Sequence, residues 1–260
     1  MAVRIDEFVS LVEEIAPRSL AYEWDNTGLL LRCGDTVGSV LVCLDVTQAV
    51  ADEAAARGCD MILAHHPLLF SPVKSLDYSH PTQGVLMSLV RNGISLYAAH
   101  TSFDRAPGGI NDALAELLGL TDVEPAGAEG LMRIGVLPKP CMTELLAVRV
   151  KQSLGVTHVR ISSGFKGLIE RVAVLGGSGG EYAAEARMAG AQALITGEVK
   201  HHQWLEAASI GVLLIEAGHY DTERCFAGAI FGRLQLRINT LQLDLGLKMA
   251  ECTQAPYLTV

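Results

Sequence analysis

The sequence lacks any apolar run near the roughly 20 residues that a membrane-spanning helix needs, although half of its 260 residues are hydrophobic. It also lacks a Lys/Arg cluster, and its net charge is −9. The electrostatic footprint of a general nucleic-acid binder is therefore missing. Six cysteines, at 33, 43, 59, 141, 225 and 252, form no Cys-x-x-Cys motif and no disulfide-like spacing. Several fall in strand-like apolar runs, where cysteine behaves as a small hydrophobe. The N-terminal stretch MAVRIDEFVSLVEEIAP has neither the basic start nor the continuous apolar segment of a signal peptide. It reads as an amphipathic helix with Ile5, Phe8, Val9, Val12 and Ile15 on one face. No Cys/His nucleophile arrangement stands out. These absences describe a protein expected in a reducing cytoplasm and away from membranes.

What is present is an apolar chain with α/β punctuation. The mean hydropathy of +0.30 fits a parallel sheet covered on both faces, or a large oligomeric interface. Ser39 to Asp45 (SVLVCLD) reads as a buried strand, and Thr47 caps a helix that ends at Gly58. Met61 to Ala64 is a second strand running straight into His65-His66-Pro67. A helix near Thr82 to Arg91 and a strand Ile94 to Ala99 follow. This order predicts parallel pairing with right-handed crossovers. The pattern recurs: a strand at Arg171 to Gly176, a helix at Gly180 to Met188, and a strand at Leu194 to Thr196. Aligning ARGCDMILA with ARMAGAQALIT puts Gly58 on Gly190 and Ala64 on Thr196, and HTSFD (100–104) resembles HYDTE (219–223). Either this is chance likeness among Ala/Gly-rich units, or the chain holds two related α/β lobes. The second reading predicts two similar, pseudo-symmetric lobes with mixed or mostly parallel sheets lining a metal cleft. The lobes are expected at 1–125 and 126–260, with the short inter-lobe region in the second and QLDLGLKMA as a closing strand.

The candidate chemistry lies at strand ends, where open α/β sheets place their ligands. Side chains alternate along a strand, so His65 and His66 are expected to diverge and to serve two neighbouring ions; the bland alternative is a pair of surface loop histidines. His219 and Glu223 converge if a helix starts at Asp221 or Thr222, and His plus carboxylate suits a divalent metal. The alternative is a helix start with Asp221 as cap, which leaves His219 unexplained. Asp104 follows another strand-to-loop transition, four residues after His100. Asp104 and Glu223 contribute −2 against +4 from two divalent ions, so the filled site would favour a hydroxide and an anionic ligand. The loop Gly176-Gly177-Ser178-Gly179-Gly180 either cradles a phosphate or makes a tight turn. His201-His202 reads as a pair near the substrate or as a solvated helix start. Trp24, in Trp24-Asp25-Asn26-Thr27-Gly28, either lines a pocket or is core. His80 and His158 read as ordinary histidines.

Five motifs together, EWDNTGL (23–29), LAHHPLLF (63–70), AAHTSFD (98–104), TGEVKHH (196–202) and EAGHYDTE (216–223), closely resemble the GTP cyclohydrolase I type 2 homolog family, also called the NGG-interacting-factor family. The resemblance covers nearly the whole chain, in the family's short form without an inserted domain. It implies a dinuclear metal site on His65, His66, Asp104, His219 and Glu223. It also implies two similar α/β lobes and a toroidal homohexamer.

The reading that follows is a metal-dependent hydrolase of a nucleotide-like or phosphorylated small molecule, GTP cyclohydrolase-like, with an anionic small-molecule ligand. Two divalent ions per chain are expected, drawn from Zn, Mn, Fe and Ni, with His100 or His202 moving protons. The rival reading is a non-catalytic metal-binding, metal-delivery or regulatory interaction protein built on the same ligands.

Overall fold

The computed structural model describes residues 2–258. The chain opens with β1 (Val3–Arg4) and α1 (Ile5–Ile15), followed by β2 (Gly28–Leu31) and β3 (Thr36–Val37), which pairs antiparallel with β1. The buried stripe of α1 is Ile5, Phe8, Leu11, Val12 and Ile15. Leu11 is buried where Val9 is half-buried; at 3.6 residues per turn the two flank the stripe on opposite sides.

Next come β4 (Ser39–Cys43), α2 (Gln48–Ala56), β5 (Met61–Ala64), α3 (Pro81–Arg91), β6 (Ser95–Ala98) and the short α4 (Thr101–Arg105). Thr47 caps α2, its Oγ1 accepting from the Val50 amide at 3.2 Å. α3 starts on Pro81, which lacks the amide that a first helical residue leaves unsatisfied anyway. β4, β5 and β6 are parallel, and β5 and β6 are buried along their whole length. The runs VLVC, MILA and SLYA are apolar without alternation because helices cover both faces.

The following segment forms α5 (Ile110–Leu117), β7 (Thr121–Ala126), β8 (Met132–Cys141), α6 (Thr143–Leu154), β9 (Arg160–Ile161) and β10 (Ile169–Leu175). It continues through α7 (Ala183–Met188), β11 (Ala193–Thr196), α8 (His201–Ile210), β12 (Leu213–Glu216) and α9 (His219–Glu223). Its sheet runs β7-β8-β10-β11-β12-β9. Only β10, β11 and β12 are parallel; β7, β8 and β9 pair antiparallel. The chain then returns with α10 (Phe226–Leu241) and β13 (Gly246–Met249). β13 pairs parallel with β4, giving a first sheet ordered β13-β4-β5-β6-β2.

Beside the expected lobes 1–125 and 126–260, the chain forms compact units of 1–106 with 226–254, and of 107–225 with 255–260. The long-range β13–β4 ladder and the packing of α10 on α1 bring the returning segment into the first unit. Each unit has its own apolar core, around Leu41, Ile62, Leu89 and Leu96 in the first and Leu146, Val172, Ile195 and Leu213 in the second. The order strand–helix–strand–helix–strand–short helix, β4 to α4, repeats as β10 to α9. No helix among the described residues is long and apolar enough to cross a membrane.

Glu53 of α2 fastens the end of the returning segment. Its carboxylate accepts from the amides of Glu251 and Cys252, each at 3.0 Å, and pairs with Arg57 at 2.5 Å. Burial opposes its ionisation, but hydrogen bonds from Cys252, Glu251 and Arg57 outweigh it and bring the carboxyl down to about 2. A carboxyl depressed in the folded state adds stability above its ordinary value and loses that contribution as pH falls through the folded one. Glu53→Gln is therefore expected to lower stability by about 1–2 kcal/mol at neutral pH, the scale of hydrogen bonds to a charged acceptor. The deficit should shrink as pH falls from about 5 to about 2. Urea midpoints of both proteins across that range check this; a deficit independent of pH would refute it.

Candidate functional site

In the first unit the parallel strands end in polar groups. Asp45 follows β4, His65 and His66 follow β5, and His100 follows β6 and precedes α4. The buried His65 ring donates its Nδ1 proton to the Ala99 carbonyl at 3.1 Å. His66 Nδ1 donates to Asp45 at 2.8 Å, and His100 Nδ1 to Asp25 at 2.9 Å. A carbonyl or carboxylate only accepts, so each contact fixes a proton on Nδ1, and the neutral ring then carries its lone pair on Nε2. This is how metal-ligating histidines are oriented.

The three rings cluster, with centroids 4.8 Å (His65–His66), 5.1 Å (His65–His100) and 5.5 Å (His66–His100) apart. One nitrogen from each lies within 4.8 Å of the others. The expected divergence of His65 and His66 does not occur. Alternation holds only inside the pleat, which ends at Ala64, and the bend that follows turns both rings to one side. Asp104 is on α4 rather than in a loop, with Oδ1 3.6 Å from His65 Nε2. Phe226 packs against the His65 ring at 4.9 Å and gives the cluster an apolar wall. Burial works against the charge on Asp25, but hydrogen bonds from His100 and Thr101 hold its carboxyl below the usual range. Three oriented imidazoles and a carboxylate form a donor set that fits a divalent transition metal.

In the second unit, α9 begins at His219 itself, two residues earlier than expected, after Gly218 at φ +97°. His219 and Glu223 are one turn apart, and Nε2 meets Oε2 at 2.9 Å. His219 Nδ1 lies 3.2 Å from Glu198, a carboxylate that the sequence reading passed over in favour of His202. Glu198 also accepts from Ser178 Oγ at 2.6 Å, which with nearby His219 lowers its carboxyl against the effect of burial. His201 and His202 are exposed on the first turn of α8. Asp221 is not a cap; it accepts from the Tyr257 hydroxyl at 3.4 Å.

The glycine loop is a close-packing device. Gly176, Gly177 and Gly179 donate their amides to Asn111, Thr222 and Thr196 at 2.8, 3.2 and 2.9 Å, which takes those donors away from a phosphate. A Cβ on Gly177 would lie 2.3 Å from Glu223 Oε1 and 3.3 Å from His219 Nε2. Beside His219 opens a cavity of about 470 Å³, lined among others by Thr157, His158, Arg160, Glu198 and Tyr257. That is within the range of small-molecule sites.

The profile of the Duf34/NIF3 (NGG1p interacting factor 3) family matches residues 3–256. A Lactococcus lactis protein named GTP cyclohydrolase 1 type 2 homolog is 35% identical, over 96% of each chain. A Schizosaccharomyces pombe protein named NIF3 homolog is 35% identical over 82% of each. Among solved structures, a Bacillus cereus protein related to NIF3 superposes with a TM-score of 0.92 at 25% identity, covering 100% of this chain and 99% of that one. A Staphylococcus aureus hypothetical protein gives 0.93 at 27% identity, covering 100% of both.

Gly177→Ala is expected to push Glu223 and His219 apart and weaken metal binding by at least about ten-fold, the scale of supporting-contact losses at metal sites. Gly119→Ala is the control: Gly119 shares the left-handed backbone, φ +70° against +64°, but has open space around its Cβ direction. Both variants should lose about 1 kcal/mol or slightly more for the backbone alone. Elemental analysis after gel filtration should show reduced metal in Gly177→Ala only.

Proposed function

The chain belongs to the Duf34/NIF3 family, and from that membership we propose that it is a metal-dependent hydrolase of a nucleotide-like or phosphorylated small molecule. By the family resemblance, His65, His66, Asp104, His219 and Glu223 would hold two divalent ions. The observation that carries the reading is the cluster of three imidazoles in the first unit, each held through Nδ1 and with one nitrogen of each within 4.8 Å of the others. Bound ions would polarise a substrate oxygen and make a nucleophile available at neutral pH. The protein's own part is to fix the donors, exclude water behind Phe226, and move a proton. We assign that last task to His100, whose orientation Asp25 holds, rather than to the exposed His202. Two carboxylates leave two divalent ions with a surplus of positive charge, which favours an anionic substrate. The family resemblance further suggests a homohexamer.

Elemental analysis of metal-replete protein should give about two ions per chain, the number the dinuclear reading requires. The metal-loaded protein should then be assayed first on GTP, the compound in its relatives' names, and next on phosphodiester and phosphomonoester analogues. Asp104→Asn should reduce turnover by about ten-fold or more while leaving the thermal midpoint within a few degrees. A fully metallated protein that hydrolyses none of these, and gives up its metal readily to a chelator, would replace the enzyme reading with metal delivery. Light scattering at micromolar concentration should report a hexamer; a stable monomer would overturn that part.

A further inference from the structure

Trp24 is 60% exposed and Phe70 56% exposed, next to the imidazole cluster. Lone exposed aromatics are ordinary, but this pair is held in place. The Tyr22 ring stacks on the Trp24 indole at 5.5 Å and 11°, and the Arg105 guanidinium lies 5.1 Å from the centre of the Tyr22 ring. Phe70 stands beside the indole at 6.0 Å, tilted by 51°. The two residues after Trp24 are anchored. Asp25 is buried against His100 and Thr101, and Asn26 donates to the Leu69 carbonyl, joining the backbone beside Trp24 to the backbone beside Phe70. Turning the indole inward would break these contacts. The segment therefore keeps a large aromatic surface in water, its ring centroid 6.3 Å from that of His100 and the two planes at 76°.

We propose that Trp24, backed by Tyr22 and flanked by Phe70, is a stacking platform for the flat heteroaromatic ring of a nucleobase-type ligand whose polar end reaches the imidazole cluster. The proposal rests on the nucleotide-like substrate assigned above and names the residues that would recognise its base. Every nucleobase has a π face, and stacking on an indole tolerates different bases. Indole also offers the larger surface for a planar partner. The chain carries −9 net charge and no basic cluster, so the occupant that fits is a single nucleotide rather than a polynucleotide.

The test uses GMP and ribose 5-phosphate, which share the phosphate and differ in the base. Trp204 is the chain's other indole, so Trp204→Phe leaves Trp24 as the sole reporter. GMP should quench fluorescence in that variant and ribose 5-phosphate should not. Calorimetry should show GMP binding about 10- to 100-fold weaker in Trp24→Ala, the range for a lost base stack, and largely retained in Trp24→Phe. Ribose 5-phosphate affinity and metal content should stay unchanged in both. Quenching by GMP should persist, more weakly, after the metal is stripped, so a failed metal reading would leave the platform standing. Equal GMP affinity in wild type and Trp24→Ala overturns the proposal. So does an unchanged affinity in a Trp24→Ala or Phe70→Ala protein that has become smaller by light scattering, since the aromatics would then be a contact between copies of this chain.

Discussion

Three oxygens decide where the imidazoles of the first unit point: the Ala99 carbonyl after β6, the Asp45 carboxylate after β4, and the Asp25 carboxylate ahead of β2. Each belongs to a different strand end, so the cluster exists only while those strands keep their register. The ladders pair Val40 with Met61 and Met61 with Ser95. A slip of one residue would invert every side chain of a strand and carry His65 away from Ala99. The apolar runs that bury both faces of these strands fix the register, and the cluster depends on that core although it contributes little to it. Thr27 adds a brace, donating to the Ala98 carbonyl at 2.7 Å and accepting from the His100 amide at 3.4 Å.

The second unit positions its pair differently, by what is missing at Cβ. Gly177 leaves room for the Glu223 carboxylate. Gly197 leaves room for the Gly177 carbonyl, His219 Cα and Thr222 Oγ1, each of which a Cβ would meet at 2.7 Å. Gly177 and Gly197 are therefore a steric mould around α9. At Gly177 the space is taken by the Glu223 carboxylate itself, so a side chain substituted there displaces it.

Much of this was legible in the chain. His and acidic residues at the ends of apolar runs are unusual enough to stand out, and His65, His66, His100, Asp104, His219 and Glu223 all lie at strand ends or on the short helices that follow. Their supporting groups did not stand out. Asp25, Asp45 and Glu198 are single carboxylates in turns, indistinguishable in sequence from solvated ones until the fold brings a histidine nitrogen to within about 3 Å. The convergence of His65 and His66 is not legible from strand alternation, which stops at Ala64, the last residue of β5. The returning segment was recognised as a strand, but its partner was not legible: β13 pairs with β4, about two hundred positions away, and local pattern carries no record of such a pairing.

The two units repeat one plan, yet they use the shared His-x-x-x-carboxylate spacing for different ends. In the second, His219 and Glu223 close on each other at 2.9 Å with Glu198 on the far nitrogen. In the first, the corresponding pair is opened: His100 turns to Asp25, and Asp104 approaches His65 at 3.6 Å. The first unit also has the longer connection after its second parallel strand, residues 65–80 after β5 against 197–200 after β11. It carries His65, His66 and Phe70, and it accounts for most of the gap between the two alignable stretches. The consequence is electrostatic. A divalent ion held by neutral imidazoles and one carboxylate keeps a positive charge, whereas carboxylates on both sides of His219 would neutralise one. An anion drawn to the first unit's donors would arrive beside the indole of Trp24, whose ring lies 6.3 Å from that of His100.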